Sequence, residues 1–314
     1  MNKSVGDVEK ILEKRATLIN KELSLISYAL EPPELAEMLR YALSQKGKRV
    51  RASLLTLACE AVGGKLTQAL IPAVTVEMIH NTSLILDDVI DASEIRRGTA
   101  TINSKWGNNM AMIACDAMLA LTIKHAAKSD ANVTRAIIEC ASGSLIALAE
   151  GEAMELVNRN YNINDYFKIA QRKTASLFSV ATEVGAIVGG GSKKEINALK
   201  RYGDSLGIAF QIKDDVLDFT ANREVFGKPT MVDLRMDRPT LVLLLAEQNG
   251  LSRENMLSMG RDDLLKALEP SINIAESIAI KKVDEARSEL SIIKESEAKD
   301  YLLGVCDYVL ARPK

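Results

Sequence analysis

Two clusters of aspartates share the same spacing in this 314-residue sequence. One reads LILDDVID and ends at Asp91, and the other reads QIKDDVLD and ends at Asp218. Chance placement of the aspartates in the chain would give about 0.06 matches to the pattern DDxxD, so two copies are not expected by accident. In a helix, the first and last aspartates of each copy lie on one face, about one turn apart.

Carboxylates stacked on one helix face repel each other, and apolar surroundings increase the cost. The flanks of both copies are apolar, so a cation is needed to offset the repulsion. Mg²⁺ commonly uses one or two carboxylates together with substrate phosphates, which makes it the favoured ion. The alternative is a solvated acidic face, and that interpretation fits Asp262 and Asp263, which have no acid one turn later.

Basic residues recur near both aspartate copies. Arg96-Arg97 follows the first copy, and Gly227-Lys228-Pro229 and then Arg238 follow the second. A third cluster, Gly47-Lys48-Arg49-Val50-Arg51, lies upstream. Surface ion pairs contribute little, so we favour a ligand that carries phosphates, held by Mg²⁺ on one side and by Arg and Lys on the other.

Apolar residues recur every three or four positions over long stretches, and aromatic residues make up only 4%. This pattern predicts an all-α fold, a large helical bundle in one domain over residues 1–314. The helices are predicted near 5–30, 33–45, 49–62, 67–92, 106–128, 131–158, 163–190, 192–222, 238–249, 271–290 and 294–310.

The composition excludes several classes of protein. With 40 basic and 42 acidic residues, the net charge of −2 gives no support to nucleic-acid binding. The apolar runs are too short for a transmembrane segment, and the N-terminus lacks the apolar core of a secretory signal. Four scattered cysteines and two histidines do not favour a zinc site. We expect reduced thiols and a cytoplasmic location.

The motifs together resemble those of the all-trans isoprenyl (polyprenyl) diphosphate synthases, the trans-prenyltransferases. The first aspartate motif is similar over residues 80–98, and the second over residues 207–218. The stretch from Gly47 to Arg51 resembles the GKRxR of the family, and Lys173-Thr174 resembles its paired Lys-Thr. The resemblance runs from about residue 46 to residue 240 and implies a helical bundle with a central active-site cavity.

The resemblance also implies a role for each matching residue. Three Mg²⁺ ions are expected, two at Asp87 and Asp91 and a third at Asp214, with Asp218 and Asp215 as supporting members. The predicted metal-binding set is Asp87, Asp88, Asp91, Asp214, Asp215 and Asp218. The allylic diphosphate is expected at Arg96, Lys173, Lys228 and Arg238, and isopentenyl diphosphate at Lys48, Arg51, His80 and Arg97. Lys173, Thr174 and Gln211 are the expected catalytic residues, and His80 has an alternative interpretation as a core histidine.

The implied reaction joins isopentenyl diphosphate to an allylic primer, namely dimethylallyl, geranyl or farnesyl diphosphate. Thr82 and Ser83, which precede the first aspartate, are small where bulky residues would close the product tunnel. We therefore expect a C20 geranylgeranyl product, with C25–C30 or longer, or farnesyl, as alternatives. A class I terpene cyclase and a non-catalytic subunit of a heteromeric synthase are the competing hypotheses, and a homodimer is expected.

The sequence departs from the family pattern at four places. Ala52 replaces a proline after GKRxR, and Cys115 replaces a common glycine. Glu152 stands where glutamine is usual, and Asp237-Arg238 stands where Gly-Lys is usual. Arginine keeps the charge of lysine but not its shape, so Arg238 is the departure of most concern for diphosphate binding.

Overall fold

The computed structural model describes residues 3–26, 29–45, 47–157, 160–220, 231–236 and 238–311. Most of these residues are helical, which confirms the predicted all-α fold. The helices are α1 Val5–Ser24, α2 Pro33–Ser44, α3 Val50–Ala61, α4 Leu66–Ile90, α5 Ile102–Trp106, α6 Asn108–Ala126, α7 Ala131–Val157, α8 Ile163–Ala170, α9 Ser176–Val188, α10 Lys193–Thr220, α11 Val232–Arg235, α12 Leu241–Gln248, α13 Arg253–Ser258, α14 Arg261–Glu289 and α15 Glu297–Leu310. A short antiparallel hairpin, β1 Ile95–Arg96 and β2 Thr99–Ala100, follows α4.

The predicted boundary near Pro270 was wrong, whereas the one at Pro33 was confirmed by the start of α2. Helix α14 begins at Arg261 instead of near 271, and it continues through Pro270. Proline inside a helix costs about 3 kcal/mol because it removes a hydrogen bond and crowds the preceding turn. Here a continuous buried face, including Leu264, Leu268 and Ile272, offsets that cost. Helix α1 ends at Ser24 instead of near 30, and the hairpin, α5 and α13 were not predicted.

The predicted helix over 163–190 is interrupted by a wider, π-helical turn at Gln171–Ala175. Such turns are rare and are often found at functional sites. This one carries Lys173 and Thr174. Gly207 of α10 packs directly against it, since a Cβ at that position would lie 2.5 Å from the Cα of Ala175. Glycine therefore lets α10, with its aspartates, approach the turn closely.

Three clusters of buried apolar side chains form the core. The first joins the C-terminal half of α1 to α2, α4, α6, α7 and α9. The second joins the N-terminal half of α1 to α3, α9, α10, α14 and α15. The third lies among α8, the lower part of α10, α12 and α14. Because α4 and α10 belong to this core, their aspartates are fixed on rigid elements.

Helix α4 is the one described helix that is long and apolar enough to cross a membrane by length and composition. However, 72% of its most apolar stretch is buried inside the protein. Its apolar side chains contact other helices of the core, so its composition is explained by packing.

Candidate active site

The two aspartate motifs lie at corresponding places on two core helices. Asp87 is in the last turn of α4, Asp91 caps that helix, and Asp214 and Asp218 are in the last two turns of α10. All four side chains are half-buried. As the helical spacing predicted, the outer aspartates of each motif share a face that remains open to solvent.

The middle aspartates of the motifs are turned toward the protein. Asp88 is buried and accepts a hydrogen bond from Arg96 Nε at 2.7 Å. Asp215 is also buried, and it accepts from Gln211 Nε2 at 2.8 Å and from the Leu241 backbone N–H at 3.3 Å. Burial raises the pKa of the Asp215 carboxyl to about 8. Protein donors therefore occupy these two carboxylates.

Lys173 and Arg238, two of the residues predicted to bind the allylic diphosphate, are paired with acids. Lys173 Nζ lies 2.7 Å from Glu152 Oε1 and also contacts Glu155. Burial lowers the pKa of Lys173, but Glu155 and Glu152 more than reverse this effect and leave it above its ordinary value. The predicted partner Lys228, with Gly227 and Pro229, lies outside the described residues.

Arg238 joins the two motifs through its acidic neighbours. Its Nη2 lies 2.5 Å from Asp91 Oδ2, and its Nη1 lies 3.4 Å from Asp233 Oδ1. The backbone N–H of Asp233 in turn donates to Asp218 Oδ2 at 3.2 Å. The guanidinium thus lies beside an outer aspartate of the first motif.

Acidic side chains outnumber basic ones around the two aspartate motifs. Burial and the neighbouring Glu152 raise the pKa of Asp87 to about 7, although Lys173 and Arg96 act in the opposite direction. Burial and Asp218 raise the pKa of Asp233 to about 6. Carboxyl groups whose pKa values rise in this way are short of positive charge, so the region suits added cations.

The donor set fits Mg²⁺ better than an ion that the protein would enclose by itself. Within the described part of the chain, no three histidine, cysteine or acidic side chains converge to hold a metal. Each motif instead places its two outer aspartates, which are half-buried, on one helix face. Mg²⁺ is commonly bound by one or two carboxylates, with the remaining positions taken by water and substrate phosphates.

A chain of hydrogen bonds links the second motif to the π-helical turn. Asp215 receives the Gln211 amide N–H, so the amide oxygen of Gln211 is directed to Thr174, whose Oγ1 donates to it at 2.6 Å. Because the hydroxyl hydrogen is used in this bond, the lone pairs of Thr174 Oγ1 remain available to an electron-poor group. The arrangement brings together the predicted catalytic residues Thr174 and Gln211.

A separate cavity of about 530 Å³ contains the other predicted cations. Its lining includes Lys48, Arg51, His80 and Arg97, all four residues assigned from sequence to isopentenyl diphosphate. We call this space the basic cavity. It adjoins the aspartates, since its lining includes His80, two turns before Asp87 on α4, and Phe210, one turn before Asp214 on α10.

His80 supports Arg51 in this cavity. Arg51 Nη1 lies 3.2 Å from His80 Nε2, and a guanidinium can only donate, so Nε2 accepts the bond and the proton of the imidazole lies on Nδ1. Burial, with Arg51 and Arg97, holds the pKa of His80 well below its usual value. His80 is therefore neutral and has a polar partner, which agrees both with the predicted substrate role and with the alternative of a satisfied core histidine.

Arg49 was not predicted as a site residue, yet it holds the loop that carries Lys48. Its buried guanidinium donates to Glu77 Oε1 at 2.8 Å, to Asn20 Oδ1 at 2.8 Å, and to the carbonyls of Leu43 and Gln45 at 3.1 and 2.7 Å. These contacts connect α1, α2 and α4. Only the position of Arg49 inside the GKRxR stretch could have drawn attention to it.

Gly47 allows the Arg97 guanidinium to reach the same loop. A Cβ at position 47 would lie 2.5 Å from Arg97 Nη1, so a larger residue would displace the arginine. Arg97 itself adopts a left-handed backbone, with φ of 53°, in the hairpin turn. The conformation of this turn directs Arg97 to the basic cavity, whereas its neighbour Arg96 pairs with Asp88.

The two residues assigned to product length are buried in the middle of α4. Thr82 Oγ1 donates to the Met78 carbonyl at 2.9 Å, and Ser83 Oγ donates to the His80 carbonyl at 2.9 Å. Cys115 of α6 packs against the same turn, with its Sγ 3.8 Å from the Thr82 carbonyl. Both hydroxyls donate within the helix, so neither needs another partner. As threonine and serine, both side chains are small.

A family model described as polyprenyl synthetase matches residues 32–265. The chain belongs to this family. It is 30% identical to the geranylgeranyl diphosphate synthase of Methanosarcina mazei over 96% of this chain and 97% of that protein. It is also 33% identical to the octaprenyl diphosphate synthase of Haemophilus influenzae, over 96% and 95% of the two chains. Membership in the family confirms the predicted class of enzyme, a prenyl diphosphate synthase.

Solved structures support the same conclusion for the fold. A geranylgeranyl pyrophosphate synthetase from Pyrococcus horikoshii superposes with a TM-score of 0.90 at 30% identity, over 98% of this chain and 99% of that one. A polyprenyl synthase from Caulobacter crescentus, complexed with calcium and isoprenyl diphosphate, superposes with a TM-score of 0.85 at 28% identity, over 99% of each chain. The predicted isoprenoid synthase type of bundle is therefore confirmed.

Proposed function

We propose that this enzyme condenses isopentenyl diphosphate with an allylic diphosphate and releases geranylgeranyl diphosphate. The observation that carries the proposal is the meeting of two different anion sites. The basic cavity holds the cations Lys48, Arg51 and Arg97, and beside it the two motifs present four half-buried outer carboxylates that suit Mg²⁺. A reaction between two diphosphates needs one site for each of them, and it needs the two sites to adjoin.

We assign the allylic diphosphate to the side of the aspartate motifs. Three Mg²⁺ ions held by Asp87, Asp91, Asp214 and Asp218 would neutralise negative charge on the departing diphosphate. Asp88 and Asp215 support this set indirectly, because their carboxylates are taken up by Arg96 and Gln211. Lys173, Arg96, Arg238 and Lys228 complete the positive charge around the phosphates.

We assign isopentenyl diphosphate to the basic cavity. Lys48, Arg51 and Arg97 contact its phosphates, and His80 acts by holding Arg51. Fixing the diphosphate places the double bond beside the allylic carbon, and this positioning supplies much of the rate. Ionisation of the allylic C–O bond gives a carbocation, the double bond attacks it, and loss of a proton restores an alkene.

Thr174 and Gln211 face the reacting carbons in this assignment. The outward lone pairs of Thr174 Oγ1 stabilise positive charge as it develops, and Gln211 fixes their direction. Lys173 stands next to Thr174 on the π-helical turn, so one wide turn presents both a diphosphate ligand and a dipole. Apolar walls from α4, α6 and α9 keep water from the cation.

Product length is assigned from the small residues at positions 82 and 83. Their size supports elongation beyond C15, and we propose a C20 product, with the octaprenyl synthase relative marking longer products as the main alternative. Thr82→Phe should shorten the product by one isoprene unit, since the new ring would occupy the space between α4 and Cys115 of α6. An unchanged length would place the tunnel elsewhere.

The direct test is incubation with Mg²⁺, isopentenyl diphosphate and each allylic primer, followed by dephosphorylation and measurement of the product chain lengths. We expect C20 products that disappear with EDTA. Products that stop at C15 would overturn the proposed length. Omission of isopentenyl diphosphate separates the alternatives, because a synthase then stalls, a terpene cyclase proceeds, and a regulatory subunit is inactive in both conditions.

We also propose that the enzyme is a homodimer. Helices α6 and α7 present large apolar side chains to solvent, at positions Met112, Ile113, Ile123, Ile138 and Ile146, with exposures of 45 to 62%. Exposed apolar surface on adjacent helices supports association with a second copy. Light scattering tests this state, and Ile146→Glu should shift a dimer toward monomer.

We further propose that residues 1–314 act as one domain and that the enzyme is cytoplasmic. Helices α1 and α15 pack in the same core cluster, which supports a single unit. The burial of α4 supports a location outside the membrane.

A further inference from the structure

Tyr308 of the C-terminal helix α15 reaches a cation of the basic cavity. Its hydroxyl oxygen accepts a hydrogen bond from Lys48 Nζ at 2.7 Å, across 260 positions of sequence. The ammonium also lies 5.2 Å from the centre of the Tyr308 ring, within the range of a cation–π contact. One aromatic side chain therefore holds this lysine in two ways.

The two partners differ in mobility. Tyr308 is only 2% exposed, and its ring packs in the core cluster shared by α1, α3 and α10. Lys48 is an exposed residue of the loop before α3, and a lysine side chain in such a place samples many rotamers. The rigid phenol thus selects a position for the flexible ammonium at the wall of the cavity.

The bond leaves Lys48 able to bind an anion. An ammonium has three hydrogens, and the bond to Tyr308 uses one of them. In the described part of the chain Lys48 forms no ion pair with a carboxylate. No carboxylate among the described residues therefore neutralises its charge, and two hydrogens remain for phosphate oxygens.

Tyr202 is a buried tyrosine of the same core cluster, but its hydroxyl has a different kind of partner from that of Tyr308. It is fully buried, and its hydroxyl donates to the Leu302 carbonyl of α15 at 2.8 Å. Its hydroxyl partner is a backbone group away from the basic cavity. The hydroxyl of Tyr308, in contrast, contacts a cation at the edge of the space that we assign to isopentenyl diphosphate.

We propose that Tyr308 is a positioning residue for isopentenyl diphosphate, acting through Lys48. The inference rests on the proposed function, since it takes the basic cavity as the site of that substrate. The C-terminal helix then belongs to the substrate site, although it carries none of the sequence motifs.

The test compares Tyr308→Phe with Tyr202→Phe, since each change removes one buried hydroxyl and keeps the ring. For Tyr308→Phe we expect the KM for isopentenyl diphosphate to rise about three- to tenfold, a loss typical of one intramolecular hydrogen bond, since the ring contact is kept. The kcat and the KM for the allylic primer should stay within about twofold. Tyr202→Phe should lower the Tm without a selective rise in the KM for isopentenyl diphosphate. An unchanged KM for isopentenyl diphosphate in Tyr308→Phe would overturn the proposal.

A double-mutant cycle identifies the route of the effect. If Tyr308 acts through Lys48, then Lys48→Met and the double variant Lys48→Met/Tyr308→Phe should have the same KM for isopentenyl diphosphate. Independent effects that multiply would contradict the proposal.

Calorimetric titration with inorganic diphosphate, without Mg²⁺, separates this inference from the proposed function. Weaker binding to Tyr308→Phe than to the wild type would support the positioning role even if no primer were elongated. Equal binding to both proteins would overturn it, even in an enzyme that elongates normally. Absence of binding to the wild type would overturn the assignment of the cavity and the inference together.

Discussion

The basic residues at the two ends of the active site differ in what surrounds them. Near the aspartate motifs, the described cations are paired with acids: Arg96 with Asp88, Lys173 with Glu152 and Glu155, and Arg238 with Asp91 and Asp233. In the basic cavity, Lys48 contacts Tyr308, and Arg51 contacts His80 and lies 4.6 Å from the centre of the Phe178 ring. Within the described ranges, neither Lys48 nor Arg51 forms an ion pair with a carboxylate.

This difference indicates that the two ends need different conditions to bind a diphosphate. The basic cavity already offers positive charge, so it should bind a diphosphate without metal. The aspartate side has more acids than bases, so it should repel phosphate until divalent metal ions bind there. The paired lysine and arginine side chains can then exchange their carboxylate partners for phosphate oxygens. We therefore expect one metal-independent site and one metal-dependent site, and the following variants test that division.

The largest effect is expected from Asp87→Asn, because it removes an outer carboxylate of the first motif from the metal-dependent side. Turnover should fall about 10²- to 10³-fold, as for loss of one essential electrostatic group. Stability should not fall, because burial opposes ionisation of Asp87. Steady-state elongation and thermal unfolding measure the two quantities.

Metal-free binding of inorganic diphosphate should be unchanged in Asp87→Asn, which separates the two ends. Asp262→Asn is the matched control, since it alters an exposed aspartate far from either motif in sequence. Equal loss of metal-free binding and of turnover in Asp87→Asn would show that the two ends are not independent.

Arg51→Gln should act on the metal-independent end. Its KM for isopentenyl diphosphate should rise about 30-fold, since a charge-assisted contact to phosphate is lost, while the KM for the primer stays within about twofold. Arg15→Gln is the control, because Arg15 is also buried and pairs with Glu60 at 2.5 Å. If both KM values rise together, the division of the substrates between the two ends is wrong.

Thr174→Val tests the residue that we place at the reacting carbons. Valine keeps the shape but removes the hydroxyl bonded to Gln211. The kcat should fall about tenfold with both KM values nearly unchanged, because only charge in the transition state is affected. Thr182→Val in α9 is the control, since its hydroxyl donates to the Leu199 carbonyl at 2.6 Å in the core and should affect stability alone.

The sequence was sufficient for features that depend on spacing within one element. The aspartates on α4 and α10, and the cations next to them, follow from helical periodicity and motif resemblance. The basic cavity also assembled as predicted, because Gly47 to Arg51 and His80 to Arg97 lie on neighbouring elements.

Contacts between distant elements could not be predicted in the same way. Tyr308, Asp233 and Glu155 carry no motif, and their partners are chosen by packing of α15, α11 and α7. The π-helical turn at Gln171–Ala175 has no periodic signal, since helical and π-helical turns use similar residues. The start of α14 was predicted too late, after Pro270, because tertiary burial outweighed the local cost of this proline.

The smallest predicted effect concerns Glu152, a departure from the family pattern on the acidic side. Glu152 is buried, and its contact with Lys173, like that of Glu155, uses an ammonium hydrogen and competes with the allylic diphosphate for the lysine. Glu152→Gln removes this competition while Glu155 still orients the lysine. Loss of a competing ion pair of about 1 kcal/mol should lower the KM for the primer about fivefold, with the KM for isopentenyl diphosphate unchanged. Glu183→Gln, which breaks the 3.0 Å pair with Lys200, is the control. A higher KM for the primer in Glu152→Gln would mean that this carboxylate assists the diphosphate site, and that pairing does not restrain the cations on the aspartate side.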